Sequence, residues 1–267
     1  ILNLVFYKLI LRIFKSNQVA FLAGAFLATN YSVLSFGLGY WMDIGGWVFY
    51  LLSLYFLFNY SESEKDKDLI IAASLVGIGG LFKEYAFPGA IAIVVFLIFE
   101  NRHNLKILFQ KLFKTGLIIV LPTLVLHALV YLSFGYTYLD WLRSNQEHYV
   151  YSSRLVEYIK SAGSLFNILI FPVSGGFYFW FRQRRGFNQR LNLFIVSVST
   201  SVLPVLIWPA ITQRILTITI PAAIIFAGFL FKKYEKYWWL WLFPLAVYIL
   251  ASFFMDSYIL EVVNLPF

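Results

Sequence analysis

The chain has 267 residues, 61% hydrophobic and only 13% charged, against about 45–50% and about 25% in an ordinary soluble domain; no soluble core of this size can hide that much apolar surface. Segments near the roughly 20 apolar residues that cross a bilayer core recur from end to end, so the composition predicts an all-α, polytopic transmembrane helical bundle. Cysteine is absent, which excludes disulfide frameworks, thiolate zinc sites and cysteine nucleophiles, and the formal charge of +8 is read as basic cytoplasmic loops, with no nucleic-acid partner.

Taken in chain order, the apolar runs predict a partial span over 1–14, then spans over 19–35, 44–60, 69–82, 86–99, 115–134, 164–181, 191–208, 215–231 and 238–254, about ten helices in all. The opening at Ile1, inside an apolar stretch without a polar leader, reads as the start of a fragment. The runs 69–82 and 86–99 are short and predict a tight hairpin whose tip is Lys83-Glu84-Tyr85. The connection 135–163 carries aromatic and apolar residues among polar ones, a pattern suited to helices lying along the membrane interface. No internal repeat, low-complexity tract or soluble domain stands out, so residues 1–267 are read as one transmembrane domain.

If the connections alternate sides, segments 8–15, 61–68, 100–114, 182–190 and 232–236 share one side and hold sixteen of the 21 Lys and Arg residues. The other side keeps Lys83, Arg143, Arg154, Lys160 and Arg214. The positive-inside rule makes the first side cytoplasmic, which predicts a multi-pass protein of the plasma or inner membrane with its sparse charges facing outward.

An ionisable group at an apolar boundary is costly unless it is paired or wetted, so each outward one is a functional candidate. Asp43 lies between two predicted spans beside Gly45 and Gly46, where non-helical backbone is permitted. It can hold a metal, orient a sugar hydroxyl or accept a proton, or it can merely cap the next helix. Lys83 and Glu84 sit at the hairpin tip before Pro88, placed to meet a phosphorylated lipid headgroup or its metal counterion; a snorkelling Lys and a capping Glu are the plainer account. Arg143, Arg154 and Lys160 lie in the long outer connection, where guanidinium forks suit phosphate and aromatic faces suit sugars, although solvated charges and an aromatic belt have the same inventory. Arg214 opens a Pro-bearing span on the side poor in positive charge, and so calls for a local anionic partner. His103, His127 and His148 are isolated and are read as structural.

Three stretches resemble the multi-pass glycosyltransferases of the GT-C fold, which include the dolichyl-phosphate-mannose protein mannosyltransferases and the lipid A aminoarabinose transferases. Ala28-Thr29-Asn30-Tyr31 through Trp41-Met42-Asp43 to Phe49-Tyr50-Leu51-Leu52 is similar to that family's third span, outer Asp and fourth span. Lys83-Glu84-Tyr85-Ala86-Phe87-Pro88 resembles its short hairpin, and Arg214 followed by Pro221-Ala222 resembles its late Arg-bearing helix. The resemblance implies a membrane glycosyltransferase that takes a sugar from a polyprenyl-phosphate donor and passes it to a lipid, glycan or protein acceptor outside the membrane. Asp43, Lys83, Glu84, Arg143, Arg154, Lys160 and Arg214 are then substrate-binding candidates, with Asp43 and Glu84 the candidates for a divalent metal; no cofactor is otherwise called for. The family's principal catalytic carboxylate sits in a first outer loop that has no counterpart here, so the catalytic base is expected upstream of Ile1. Ile215 also stands where that family often has Tyr. An O-antigen polymerase or ligase is the alternative enzyme. A transporter or lipid flippase is the alternative of another class, disfavoured because the charges cluster at span ends and no repeat is visible.

Overall fold

The computed structural model describes residues 1–267 except 40, 138–139, 141–142, 145–153, 209–210 and 263–267. The described residues form helices and turns with no strand. In chain order the helices are α1 (Leu2–Phe14), α2 (Asn17–Ala28), α3 (Tyr31–Gly39), α4 (Trp41–Ser63), α5 (Asp66–Phe82), α6 (Pro88–Glu100) and α7 (Leu105–Phe134). They continue as α8 (Arg154–Phe166), α9 (Ile170–Gln183), α10 (Gln189–Ser201), α11 (Gln213–Leu216), α12 (Ile220–Lys233) and α13 (Leu242–Val262).

Six stretches of described helix are long and apolar enough to cross a membrane: Asp43–Ser63, Leu105–Phe134, Arg154–Gly186, Gln189–Ile207, Gln213–Lys233 and Glu235–Phe254. The chain is therefore a multi-pass integral membrane protein. Several predicted spans are broken or shortened, and the breaks have local causes. The run 19–35 divides into α2 and α3 because Asn30 accepts from the Val33 amide at 3.0 Å and starts a new helix. The run 215–231 divides because Pro221 has no N–H to continue the ladder; a 3₁₀ turn, Thr217–Thr219, carries the chain from α11 into α12. The hairpin of α5 and α6 forms as the pattern predicts, with a 3₁₀ turn, Glu84–Ala86, at its tip and Pro88 as the first residue of α6.

The core lies where α1, α2, α4 and α12 meet: Phe6, Leu9, Leu22, Phe26, Tyr50, Leu54, Ile224 and Phe231 are fully enclosed. Small residues let backbones approach without polar cost, as membrane bundles require. Gly176 of α9 faces the Phe226 carbonyl of α12 so closely that a Cβ would lie 1.8 Å from it, and a Cβ on Gly79 of α5 would meet Phe49 of α4 at 2.5 Å. α7 packs its inner side on α5 and presents Leu117, Leu121, Leu124 and Leu132 outward, the lipid-facing surface of a spanning helix.

The polar contacts sort to two ends. At one end Arg12 pairs with Glu62 at 2.6 Å, Arg190 with Glu64 at 2.9 Å and Glu100 at 3.3 Å, and Lys111 with Glu100 at 3.7 Å. These contacts gather four of the five Lys- and Arg-rich segments at one end. The ring of Phe179 against Tyr234, at 6.2 Å, adds the fifth. Asp43, the α5–α6 tip, α8 and α11 occupy the other end, tied together by the contacts that follow.

Candidate functional site

The site is built from three stretches remote in sequence. Asp43 stands in the first turn of α4, which begins ahead of the predicted span 44–60, so the non-helical backbone that Gly45 and Gly46 permit is not used and both lie in regular helix. These glycines serve packing: a Cβ on Gly46 would lie 3.0 Å from the Cβ atoms of Lys83 and Tyr85, and one on Gly45 would touch the Phe82 ring. The α5–α6 tip thus seats directly on the start of α4. Stacking of Trp47 on Tyr85, with ring centroids 5.9 Å apart, completes the joint.

Asp43 is fully buried, and both of its oxygens accept from Arg214, Oδ2 from Nε at 2.5 Å and Oδ1 from Nη2 at 2.9 Å. This bidentate fork supplies the anionic partner that the position of Arg214 calls for; Asp43 itself lies inside the first turn of α4. Arg214 reaches it because α11 is a single turn whose start is closed by Thr212, the hydroxyl accepting from the Ile215 amide at 3.4 Å. About a third of the Arg214 side chain remains accessible.

Lys83 and Glu84 pair with each other at 3.3 Å, each about one quarter exposed. Glu84 stands on the wall of a cavity of about 230 Å³, otherwise lined by apolar side chains that include Pro88, Pro204, Trp208, Ile215 and Ile218. The cavity runs from the hairpin tip to the turn after α10 (Leu203–Ile207) and to α11, so Ile215 carries its wall to the residue beside Arg214. Of the candidates Asp43, Glu84 and Arg214, Glu84 lines it, Arg214 neighbours it, and Asp43 does not line it but supports Arg214 from the protein interior.

The outer connection contributes α8, which is amphipathic, with Leu155, Val156 and Ile159 exposed. Arg154 donates to the Trp208 carbonyl at 2.5 Å, and the Tyr158 hydroxyl donates to the carbonyls of Val205 and Leu206 at 3.1 and 2.7 Å. These contacts fasten α8 to the cavity wall and give Arg154 a docking role. Lys160 pairs with Glu157 at 3.2 Å on an exposed face, and Arg143 is exposed near Asp140. The Asp140 carboxylate is held below its ordinary pKa chiefly by the Thr137 hydroxyl and amide, which donate to it at 2.6 and 2.8 Å, and further by the Arg143 charge. Neither Arg143 nor Lys160 lines the cavity beside Glu84. Residues 138–139, 141–142 and 145–153 of that connection lie outside the described residues.

Sequence reasoning missed Gln213. Its side chain bridges Ser32 at 3.2 Å and Ser164 at 2.9 Å, which ties α11 to α3 and α8 just before Arg214. Asn30 was also missed; it donates to the Leu165 carbonyl at 3.1 Å and to the Tyr248 hydroxyl. A signal was present in both: an amide side chain within an apolar run, as Asn30, or at the edge of one, as Gln213, needs a partner. Among the described residues no three His, Asp or Glu side chains come together in a metal-holding group.

Compared with known proteins, residues 1–129 match the family model described as dolichyl-phosphate-mannose-protein mannosyltransferase. The matched part holds Asp43, Lys83 and Glu84 and ends before Arg214. No curated protein and no solved structure matches the chain. The family match points to a membrane glycosyltransferase.

Proposed function

We propose that the chain transfers a sugar from a polyprenyl-phosphate donor to a lipid, glycan or protein acceptor at the outer face of the membrane. One observation carries this reading: an apolar cavity at the charge-poor end has a carboxylate, Glu84, on its wall and a guanidinium, Arg214, beside it. An isoprenoid chain needs the apolar wall, and the phosphate it carries needs a fixed cation at the boundary. Asp43 holds the Arg214 fork in one plane before any ligand arrives. Such preorganised charge costs no reorganisation as negative charge builds on the departing phosphate. Lys83 adds a second cation on the same joint, and Glu84 is placed to accept from a sugar hydroxyl. Arg154, by fixing α8 to Trp208, shapes the cavity without touching the phosphate in this reading, while Arg143 and Lys160 belong to the approach from outside.

Both candidate metal carboxylates already have a cationic partner. Both Asp43 oxygens are taken by the guanidinium, and Glu84 has an ammonium 3.3 Å away. The steps assigned to these residues are therefore binding and charge stabilisation by Arg214 and Lys83.

The test is transfer from a polyprenyl-phosphate sugar by the full-length protein. Glu84→Gln and Arg214→Lys should each lower transfer by roughly ten- to a hundred-fold, the equivalent of about 1.5–3 kcal/mol for a lost charge-assisted contact. Lys keeps the charge but not the fork, so its failure would speak for geometry. Near-normal transfer by both variants would sink the assignment and shift preference to the polymerase or ligase reading.

A further inference from the structure

The Lys- and Arg-rich end settles its charge unevenly. Arg12, Lys111 and Arg190 are each paired with a carboxylate of a neighbouring segment. The Phe179–Tyr234 contact sets the last turns of α9, which lead into the turn Arg184–Gly186, beside the end of α12, which leads into the turn Glu235–Trp241. With their flanks these turns carry six exposed cations, Arg182, Arg184, Arg185, Lys232, Lys233 and Lys236, and one carboxylate, Glu235. Glu235 is taken by Lys232 at 2.6 Å, and among the described residues no carboxylate pairs with the other five cations.

A topological bias toward positive charge accounts for cations on this side but calls for no cavity among them. A cavity of about 240 Å³ is nevertheless present in the same turn, lined by Tyr234, Tyr237, Leu240, Trp241 and Pro244. Trp241 is fixed from behind by Phe231, with ring centroids 5.0 Å apart. The Lys236 ammonium lies 5.9 Å from the centre of the Tyr237 ring on the cavity wall, and the Arg184 guanidinium lies 4.1 Å from that of Phe181. An aromatic slot with a cation, Lys236, on its wall, at the end of the molecule that carries the surplus of exposed cations, matches one kind of amphiphile, a phosphate joined to hydrocarbon.

We propose that this slot binds an anionic phospholipid of the adjoining leaflet, with its phosphate among Arg184, Lys233 and Lys236 and its first acyl carbons against Tyr237 and Trp241. The site is at the opposite end from the glycosyl-transfer site and does not depend on that assignment. The test offers the purified full chain phosphatidylglycerol and phosphatidylcholine of identical acyl chains and counts the lipid retained by native mass spectrometry. Phosphatidylglycerol should be retained at least about tenfold over phosphatidylcholine, with the preference shrinking as salt rises. The triple variant Arg184→Gln/Lys233→Gln/Lys236→Gln should lose the preference, whereas Arg102→Gln/Lys106→Gln, which removes exposed cations elsewhere at the same end, should keep it. Equal retention of the two lipids, or equal loss in both variants, would overturn the proposal. Displacement of phosphatidylglycerol by millimolar glycerol 3-phosphate would also overturn it, since the ligand would then be a soluble anion.

Discussion

Asp43 and Arg214 differ in solvation, one fully buried and the other about a third exposed, and that difference sets the effect of breaking the pair. Removing Arg214 strands an unpaired carboxylate in the interior, at a cost of about 3–5 kcal/mol, whereas removing both charges costs much less. Arg214→Ala should therefore lower the melting temperature in detergent, and Asp43→Ala/Arg214→Ala should recover most of it while transfer stays low. Equal melting temperatures for Arg214→Ala and the double variant would show that the stranded carboxylate carries no cost. A second residue-scale effect is pH-dependent. Because the folded Asp140 pKa is depressed, its contribution to the turn from Thr137 is present above the unfolded value of about 3.9 and is lost as pH falls through the lower folded value. Protection of the residue-137 amide, taken relative to its intrinsic exchange rate at each pH, should hold at pH 5 and fall as pH drops below the ordinary Asp value of about 3.9, and Thr137→Val should move that fall to higher pH; a fall unchanged by the substitution would remove the Thr137 hydroxyl as its cause.

Between elements, close packing decides which glycines matter, and the pattern of apolar residues gives no hint of it. Gly176→Ala should be strongly destabilising, because the new Cβ meets the Phe226 backbone carbonyl and backbone cannot yield as a side-chain tip does. Gly163→Ala, in α8 with nothing within 4 Å, should stabilise by about 0.5–1 kcal/mol through helix propensity alone. A thermal shift on the two variants checks both, and similar effects would contradict the packing of α9 on α12. The α5–α6 hairpin was legible in the sequence because charge, Tyr and Pro punctuate two apolar runs at Lys83-Glu84-Tyr85 and Pro88. The division of 215–231 was less so: Pro221 was visible, but only the folded chain shows a 3₁₀ turn instead of a kink.

For the whole molecule, the ion pairs gather four of the five basic segments at one end and the Phe179–Tyr234 contact adds the fifth, and sidedness in the membrane remains the testable consequence. A chain without cysteine takes single-cysteine labels cleanly. Lys67→Cys and Asn188→Cys, both at exposed positions, should resist an impermeant reagent applied outside, while Lys160→Cys, 65% exposed in its side chain, should react. Labelling of Lys67→Cys from outside would invert the topology and move the proposed transfer site to the cytoplasmic face.

Composition alone determined that the chain is a helical membrane protein, because 61% hydrophobic residues leave a bilayer as the one solvent that suits them. The distribution of Lys and Arg determined which segments share an end, since charge at a span terminus must stay in water. Tertiary structure decided the partnerships. That Asp43 answers Arg214 across 171 positions, that Gln213 spans Ser32 and Ser164, and that Glu84 faces an apolar cavity all depend on which helices touch. Helix contacts are set by small residues and side-chain shape at many positions at once, and local periodicity holds no record of them.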